Sequence, residues 1–328
     1  MKTYNWGIIG TGFIARKMAE ALPFVPQSAL YAVASRNIET ANDFATTYNC
    51  KTYGSYEELI NDPEIDIVYV ATPHNYHCSN TLMAISNGKH VLCEKPFAVN
   101  SREVNSMIDA AREKGVFLME ALWTRFNPNI IRAKEILDSG QLGNIKLITA
   151  NFGDRKPYHP DNRFYNKELI GGALLDMGIY PLFNVLLMMG KPQTIKALAA
   201  IGQTGVDYTC SIALGYENDA MAVIHTTILT ETDSKVTIYC EKGRIEFRRW
   251  VYAPENITVV PLEDESQDIT QEMTGNIYNY EAVEVINCLE QGKFQSSLWS
   301  WDDSLMLIGV LDEIRAQIGL VYKGHDNL

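Results

Sequence analysis

Nowhere in these 328 residues do Lys and Arg gather into a run that could follow a phosphate backbone, and an excess of acid leaves a net charge of −12. Nucleic acid and anionic membrane surfaces are therefore poor candidate partners. No stretch of about 18 or more apolar residues reads as a membrane span. The opening Met1-Lys2-Thr3-Tyr4-Asn5-Trp6 carries no apolar block of the signal-peptide kind, so the expected location is the cytoplasm. Cysteine is sparse: Cys50, Cys78, Cys93, Cys210, Cys240 and Cys288 contain no CxxC pair and stand near no His at zinc-finger spacing. That pattern predicts reduced, mostly buried thiols and argues against a disulfide framework or a metal site.

With 46% hydrophobic and 21% charged residues the chain has the balance of a globular protein, and its length fits two domains that each bury a core. Up to about residue 120, short β-rich runs alternate with longer helical stretches, the pattern of βαβ units around a parallel sheet. Strands are predicted at Tyr4 to Ile9, Ala29 to Ala34, Lys51 to Tyr53, Ile65 to Val70, His90 to Cys93 and Val116 to Met119. Helix starts are marked by Ser55 ahead of Glu57 and Glu58, and by Asn100 or Ser101 ahead of Glu103. Past Asn127 the character changes to a helix ending near Leu137, a strand from Ile145 to Phe152, a loop rich in Pro, Asp, Arg and Tyr, and a helix from Leu174 to Met189. Alternating runs such as Tyr208 to Leu214 and Lys235 to Cys240, punctuated at Gly202, Gly205 and Lys242-Gly243, then predict a mainly antiparallel sheet. A helix from Asp302 to Ile318 closes the chain. The expected division is a dinucleotide domain at 1–122 and a substrate domain at 123–328.

The first predicted strand runs into Gly10-Thr11-Gly12-Phe13-Ile14-Ala15, a GxGxxA turn between strand and helix. The first glycine permits a tight turn and the second lets backbone approach a pyrophosphate. The small Ala15 allows close packing while the helix N-terminus faces the anion. Two glycines can equally make a plain turn, but their place at the head of a βαβ series favours a dinucleotide. An NAD site typically carries Asp or Glu at the tip of the second strand, about 20 residues on. This chain has Ala34-Ser35-Arg36 there, and a hydroxyl with a guanidinium suits the 2′-phosphate of NADP better than the free hydroxyl of NAD. Arg36 as a solvated strand-end charge is the competing reading.

Two further segments follow strands whose carboxyl ends should line the cofactor crevice: Thr72-Pro73-His74 with His77, and Glu94-Lys95-Pro96. Lys95 stands directly after a buried strand, where its surroundings can tune its pKa, though it also reads as a loop cation. His74 or His77 also reads as a helix cap. In the second half, Asp176 and Tyr180 stand at i and i+4 of an apolar helix and so share one face, either as a polar site or as an intrahelical hydrogen bond. Pro181 signals a kink or restart there.

Taken together, Gly10-Thr11-Gly12 with Ala15, Ala71-Thr72-Pro73-His74, Glu94-Lys95-Pro96, Glu120-Ala121-Leu122-Trp123-Thr124-Arg125-Phe126 and Gly172 to Tyr180 resemble the glucose-fructose oxidoreductase / inositol dehydrogenase / rhizopine-catabolism family. Tyr180, where many relatives carry His, is similar to the dimeric dihydrodiol dehydrogenase and NADP xylose dehydrogenase branch. The resemblance implies an α/β Rossmann domain followed by a domain with an open-faced, mostly antiparallel sheet, and a sugar, polyol or trans-dihydrodiol substrate held over the nicotinamide. It implies proton transfer by Lys95 and Tyr180, with Asp176 holding the substrate hydroxyl or the lysine. Trp123, Arg125, Phe126 and Phe152 become candidate substrate contacts, and the loop from Gly153 to Tyr165 the seat of discrimination. A homodimer that covers the bare sheet face is expected. Within the family an aldose or inositol-type dehydrogenase or reductase is the alternative; outside it, a ligand sensor that binds NADP without turnover.

Overall fold

Runs rich in Val, Ile and Ala, apolar on both faces, form the middle of a parallel sheet, and the computed structural model, which describes residues 2–326, has one. Six strands, β1 (Tyr4–Ile9), β2 (Ser28–Ala34), β3 (Lys51–Tyr53), β4 (Ile67–Val70), β5 (His90–Glu94) and β6 (Leu118–Ala121), lie in the order β3-β2-β1-β4-β5-β6. Helices α1 (Phe13–Ala21), α2 (Ile38–Tyr48), α3 (Tyr56–Asn61), α4 (His77–Ser86) and α5 (Ser101–Lys114) connect them. The order reverses between β1 and β4, so their carboxyl ends open a crevice at that switch point. The expected caps are in place: Ser55 accepts the Glu58 N–H and Asn100 the Glu103 N–H, each satisfying an amide that the helix leaves open. Strand β6 begins two residues later than the periodicity suggests.

The second sheet is built from β7 (Ile145–Gly153), β8 (Thr194–Ile201), β9 (Asp207–Gly215), β10 (Met221–Thr227), β11 (Val236–Cys240), β12 (Gly243–Arg248), β13 (Asn256–Pro261) and β14 (Gln267–Ile269). Its order is β14-β13-β12-β11-β7-β10-β9-β8, and only the β7–β10 pair is parallel. Burial alternates along β10, with Ala222 and Ile224 inside and Met221, Val223 and His225 outside, as one covered and one open face require. α6 (Pro128–Asp138) precedes β7, and the helical stretch after it is a π turn, Leu174–Gly178, that passes into α7 (Ile179–Met189). Pro181 has no N–H to donate and its ring crowds the preceding turn; the wider π geometry sits where that constraint falls. Residues 167–189 are long and apolar enough to cross a membrane, but their most apolar stretch is 94% buried inside the protein, as in a core helix.

Compactness divides the chain at different points from the contiguous 1–122 and 123–328. One unit comprises Met1–Phe126 with Met273–Leu305, the other Asn127–Glu272 with Met306–Leu328. The return brings α8 (Tyr278–Glu290), a helix the periodicity did not announce, into the first unit, and α9 (Trp301–Ile318) is shared between the two. Edge strand β6 explains the return: Leu118 N–H donates to Phe294 O at 3.0 Å and Trp301 Nε1 to Leu118 O at 2.9 Å. The buried Glu120 carboxylate accepts from Trp299 Nε1 at 3.0 Å and from Ser304 Oγ at 2.7 Å. The segment thus covers an edge that would otherwise expose unpaired backbone.

Candidate active site

In the first unit the glycine turn behaves as its chemistry demands. Gly10 has φ +107 and donates to Ala34 O at 3.0 Å; a Cβ there would lie 2.5 Å from Ala71 O. Only glycine fits. Gly12, at φ −71, caps α1 with open space where a side chain would be, and the first turn has neither an acidic residue nor a side-chain cap. The amides of Phe13 and Ile14 therefore head a helix end whose partial positive charge is not neutralised by its own first turn. Ala15 is fully buried. At the tip of β2, Ser35 Oγ lies 2.7 Å from Thr40 Oγ1 and accepts the Asn37 N–H, while the exposed Arg36 guanidinium stands 5.4 Å from the Tyr76 ring centroid. No carboxylate occupies that tip. These residues fit a nicotinamide dinucleotide.

The loops after β4 and β5 are tied together by His77, which is fully buried: Nδ1 lies 2.8 Å from Pro96 O and Nε2 2.9 Å from Thr72 O. Its backbone N–H caps the short turn His74–Tyr76 by donating to His74 O, while its imidazole holds the two loops. Burial pushes its pKa down, opposed by the two carbonyls. Thr72 Oγ1 also accepts from Asn80, and Pro73 begins the short helical turn on which His74 lies. The His74 and His77 rings meet edge to face at 5.5 Å. Glu94 is buried, accepts from the Tyr69 hydroxyl and from the Lys95 N–H, and burial raises its carboxyl. Lys95 is half-buried and precedes Pro96 through a cis peptide bond. Trp123, Arg125 and Phe126 also belong to this unit: Trp123 packs 4.7 Å from Tyr278, Arg125 Nε donates to Leu298 O at 2.8 Å, and Phe126 is buried.

In the second unit Asp176 lies in the π turn and Tyr180 at the start of α7, both buried. Arg163, from the loop that follows β7, grips Asp176 with two nitrogens, Nη1 to Oδ1 at 3.0 Å and Nη2 to Oδ2 at 3.4 Å. Tyr180 sits among aromatic rings: Phe152 at 6.1 Å and Tyr252 at 5.4 Å, with Trp250 stacked on Tyr252 at 5.5 Å. Arg249 and Trp250 are consecutive non-glycine residues with positive φ, +46 and +63, a strained turn that leaves Trp250 exposed. Asn184 Nδ2 fixes this arrangement by donating to Tyr180 O and Val251 O. The structure thus brings together Phe152, Asp176 and Tyr180 as the sequence suggests and adds Arg163, Trp250 and Tyr252, to which no motif points. Arg163 lies in the loop from Gly153 to Tyr165 expected to discriminate substrates, whereas the aromatic pair carries no signal beyond its composition.

A parallel sheet ordered 3-2-1-4-5-6 with a glycine turn and an open helix N-terminus at its switch point, joined to an antiparallel sheet unit with a buried acid and phenol, defines a dinucleotide-dependent oxidoreductase. Residues 4–122 match the oxidoreductase family GFO/IDH/MocA, NAD-binding Rossmann fold, and residues 130–246 match the GFO/IDH/MocA C-terminal domain. The chain belongs to this family and is an NAD(P)-dependent oxidoreductase. It is 38% identical over 331 residues to trans-1,2-dihydrobenzene-1,2-diol dehydrogenase from Xenopus laevis, covering 97% of this chain and 99% of that protein. It is 33% identical to the Homo sapiens protein of that name, over 97% and 98%. Among solved structures, a levoglucosan dehydrogenase in complex with NADH and levoglucosan superimposes with TM-score 0.88 at 21% identity, over 97% of this chain and 98% of that one. A 3-ketoreductase from Actinomadura kijaniata in complex with NADP gives 0.87 at 23%, over the same shares. At such identities the structures speak to the fold.

Proposed function

We propose that the protein is an NADP-dependent dehydrogenase that oxidises a secondary alcohol carbon of a trans-dihydrodiol, sugar or polyol. The observation that carries this reading is the buried Asp176–Tyr180 helix start enclosed by Phe152 and Tyr252, an acid and a phenol inside an aromatic wall suited to a cyclic diol. The names of the full-length relatives support the same substrate class. The nicotinamide, when bound, accepts the hydride. The chain's own residues handle the proton: Tyr180 takes it from the substrate hydroxyl, with Lys95 supplying the positive charge that favours phenolate. A free phenol of pKa about 10 is a poor base at neutral pH, and an ammonium lowers it. Asp176, oriented by Arg163, holds the hydroxyl in place. Gly10, Gly12 and the α1 amides carry the pyrophosphate, and Ser35 with Arg36 the 2′-phosphate.

Copies of the chain pair through the open face of the second sheet, where Leu198, Met221, Val223 and Tyr239 are exposed. Light scattering should give twice the 36.9 kDa chain mass, and a monomer would remove this part of the proposal. The catalytic reading is tested by initial rates of NADP⁺ and NAD⁺ reduction over trans-dihydrodiols, pentoses, hexoses and inositols. Oxidation of at least one class with a preference for NADP⁺ is expected. Tight NADP binding without turnover on any of them would point to a sensor.

A further inference from the structure

The helical stretch that bears Asp176 and Tyr180 is held from behind by residues with no place in the proton transfer. Asp207, the first residue of β9, is fully buried, and its Oδ2 accepts the Leu174 N–H at 2.7 Å. It places a carboxyl group at the N-terminal end of the π turn, where open amides and the helix dipole favour an acceptor. The chain reaches that acceptor only because residue 172 is glycine: φ is +123, and a Cβ there would sit 2.1 Å from Asp207 Oδ1. One residue earlier, Gly171 O accepts the Tyr322 hydroxyl at 2.6 Å.

Tyr322 belongs to the tail after α9, and the tail is itself fastened. Asp326 accepts the Tyr322 N–H at 2.8 Å and pairs with both terminal nitrogens of Arg315 at 2.7 and 3.2 Å. Arg315, only 4% exposed, also donates to Asp312 at 2.8 Å. Two adjoining sets of hydrogen bonds reach the active helix, Arg315–Asp326–Tyr322–Gly171 and Asp207–Leu174, with Gly172 packed against Asp207 between them.

We infer that this C-terminal clasp sets where Asp176 and Tyr180 sit, making Asp207 and Tyr322 positioning residues for turnover. A π turn is a rare and weakly determined helix geometry, so its placement depends on anchors outside it. A shift of about 1 Å in a reacting group can cost about 100-fold in rate. The inference rests on the proposed role of Tyr180.

The test compares Tyr322→Phe and Asp207→Ala, which removes the acceptor for the Leu174 N–H, with the wild type for kcat, KM, coenzyme Kd, melting temperature and the pH profile of kcat/KM. Losing one buried hydrogen bond should lower kcat about tenfold while coenzyme Kd stays within about twofold, because the coenzyme residues lie elsewhere. The limb of the pH profile that reports deprotonation should move, since Tyr180 is shifted relative to the charges that tune it; a clasp that only stabilised the fold would leave that limb in place. If Tyr322→Phe fails to fold, Arg315→Lys, which keeps the charge but loses the paired grip on Asp326, is read in its place. A folded variant with wild-type kcat and an unmoved pH profile overturns the clasp. Tyr180→Phe keeps the two failures apart: if it is inactive while Tyr322→Phe is fully active, only the clasp falls, and if it turns over normally, the role of Tyr180 falls first.

Discussion

The two sheets carry function in different ways. In the parallel sheet the anion-facing part of the candidate site is mostly backbone, a glycine turn at Gly10 and an open helix end after Gly12, with strand-end residues Ser35 and Arg36 beside it, all within the first 36 residues. In the antiparallel unit the site is made of side chains from distant places, Phe152 on β7, Arg163 in a loop, Asp176 and Tyr180 on a helix, Tyr252 after β12. Backbone geometry that binds an anion writes itself into a short spacing of glycines. A side-chain constellation is written nowhere contiguous.

The comparison breaks most sharply at Tyr180. Tyr180→Phe keeps the aromatic contacts with Phe152 and Tyr252 but removes the hydroxyl, and loss of an acid/base group costs about 10²- to 10⁴-fold in kcat. Coenzyme Kd should not change, and the loss should not add to that of Lys95→Met if the two act as one unit. Retention of more than about half the wild-type turnover would hand the proton to another group, with His74 the next to try.

A pair of alanine variants in the first unit comes next. At Gly10 a methyl group meets Ala71 O and demands a positive φ, so Gly10→Ala should destabilise the apo protein by about 3 kcal/mol from strain and overlap together. At Gly12 the backbone suits alanine and nothing lies within 4 Å, so Gly12→Ala should leave the apo melting temperature unchanged or raise it by the equivalent of about 0.5 kcal/mol. Its coenzyme affinity should nonetheless fall, because the methyl enters the space left for a pyrophosphate. Equal melting temperatures for the two variants would contradict this division between fold and site.

How far the sequence could be read follows the same line. The strands of the parallel sheet, the caps at Ser55 and Asn100, and the GxGxxA turn were legible because each is a local pattern of burial or spacing. Helix α8 was not, since it starts after Ile277 at φ +80 with no side-chain cap, so no start signal exists to read. The return of 273–305 to the first unit was hidden for another reason: Glu120 meets Trp299 and Ser304 across about 180 residues, and one-dimensional periodicity records no such pairing. Asp176 and Tyr180 were found by their helical spacing, but Arg163 was not, because a guanidinium in an irregular loop has no preferred register. The positive φ at Arg249 and Trp250 lacks the glycine that would have announced it.

Acidity offers a third contrast. Burial raises Asp207 in the second unit to about 7 and pushes Glu94 upward in the first. An unfolded Asp titrates near 4, so between about pH 4 and 7 the folded protein holds a proton that the unfolded chain has released. The resulting stability is complete below about pH 4 and is lost as pH rises through about 7, with a slope of at most about 1.4 kcal/mol per pH unit for one proton. Asp207→Asn, which stays neutral, should flatten the decline of melting temperature between pH 5 and 8. An unchanged slope would mean that Asp207 is ionised throughout.

The smallest expected effect lies at Arg36, and its size follows from exposure. The guanidinium stands beside Tyr76 but is solvent-accessible, so the pairing with a 2′-phosphate proposed for it would be screened. Arg36→Ala should therefore weaken NADP binding only about five- to tenfold, well short of the loss at Tyr180, and leave NAD binding unchanged because NAD has no phosphate there. Screening adds a second signature. The proposed wild-type preference for NADP should shrink as ionic strength rises from about 10 mM, where the Debye length is about 30 Å, to about 1 M, where it is about 3 Å. The Arg36→Ala preference should depend on salt less. Isothermal titration of both coenzymes at the two salt levels reads all of this in one set of measurements. Equal losses for NADP and NAD would place Arg36 outside coenzyme selection, and a wild type that binds NAD more tightly would transfer the role of the β2 tip from phosphate recognition to simple solvation.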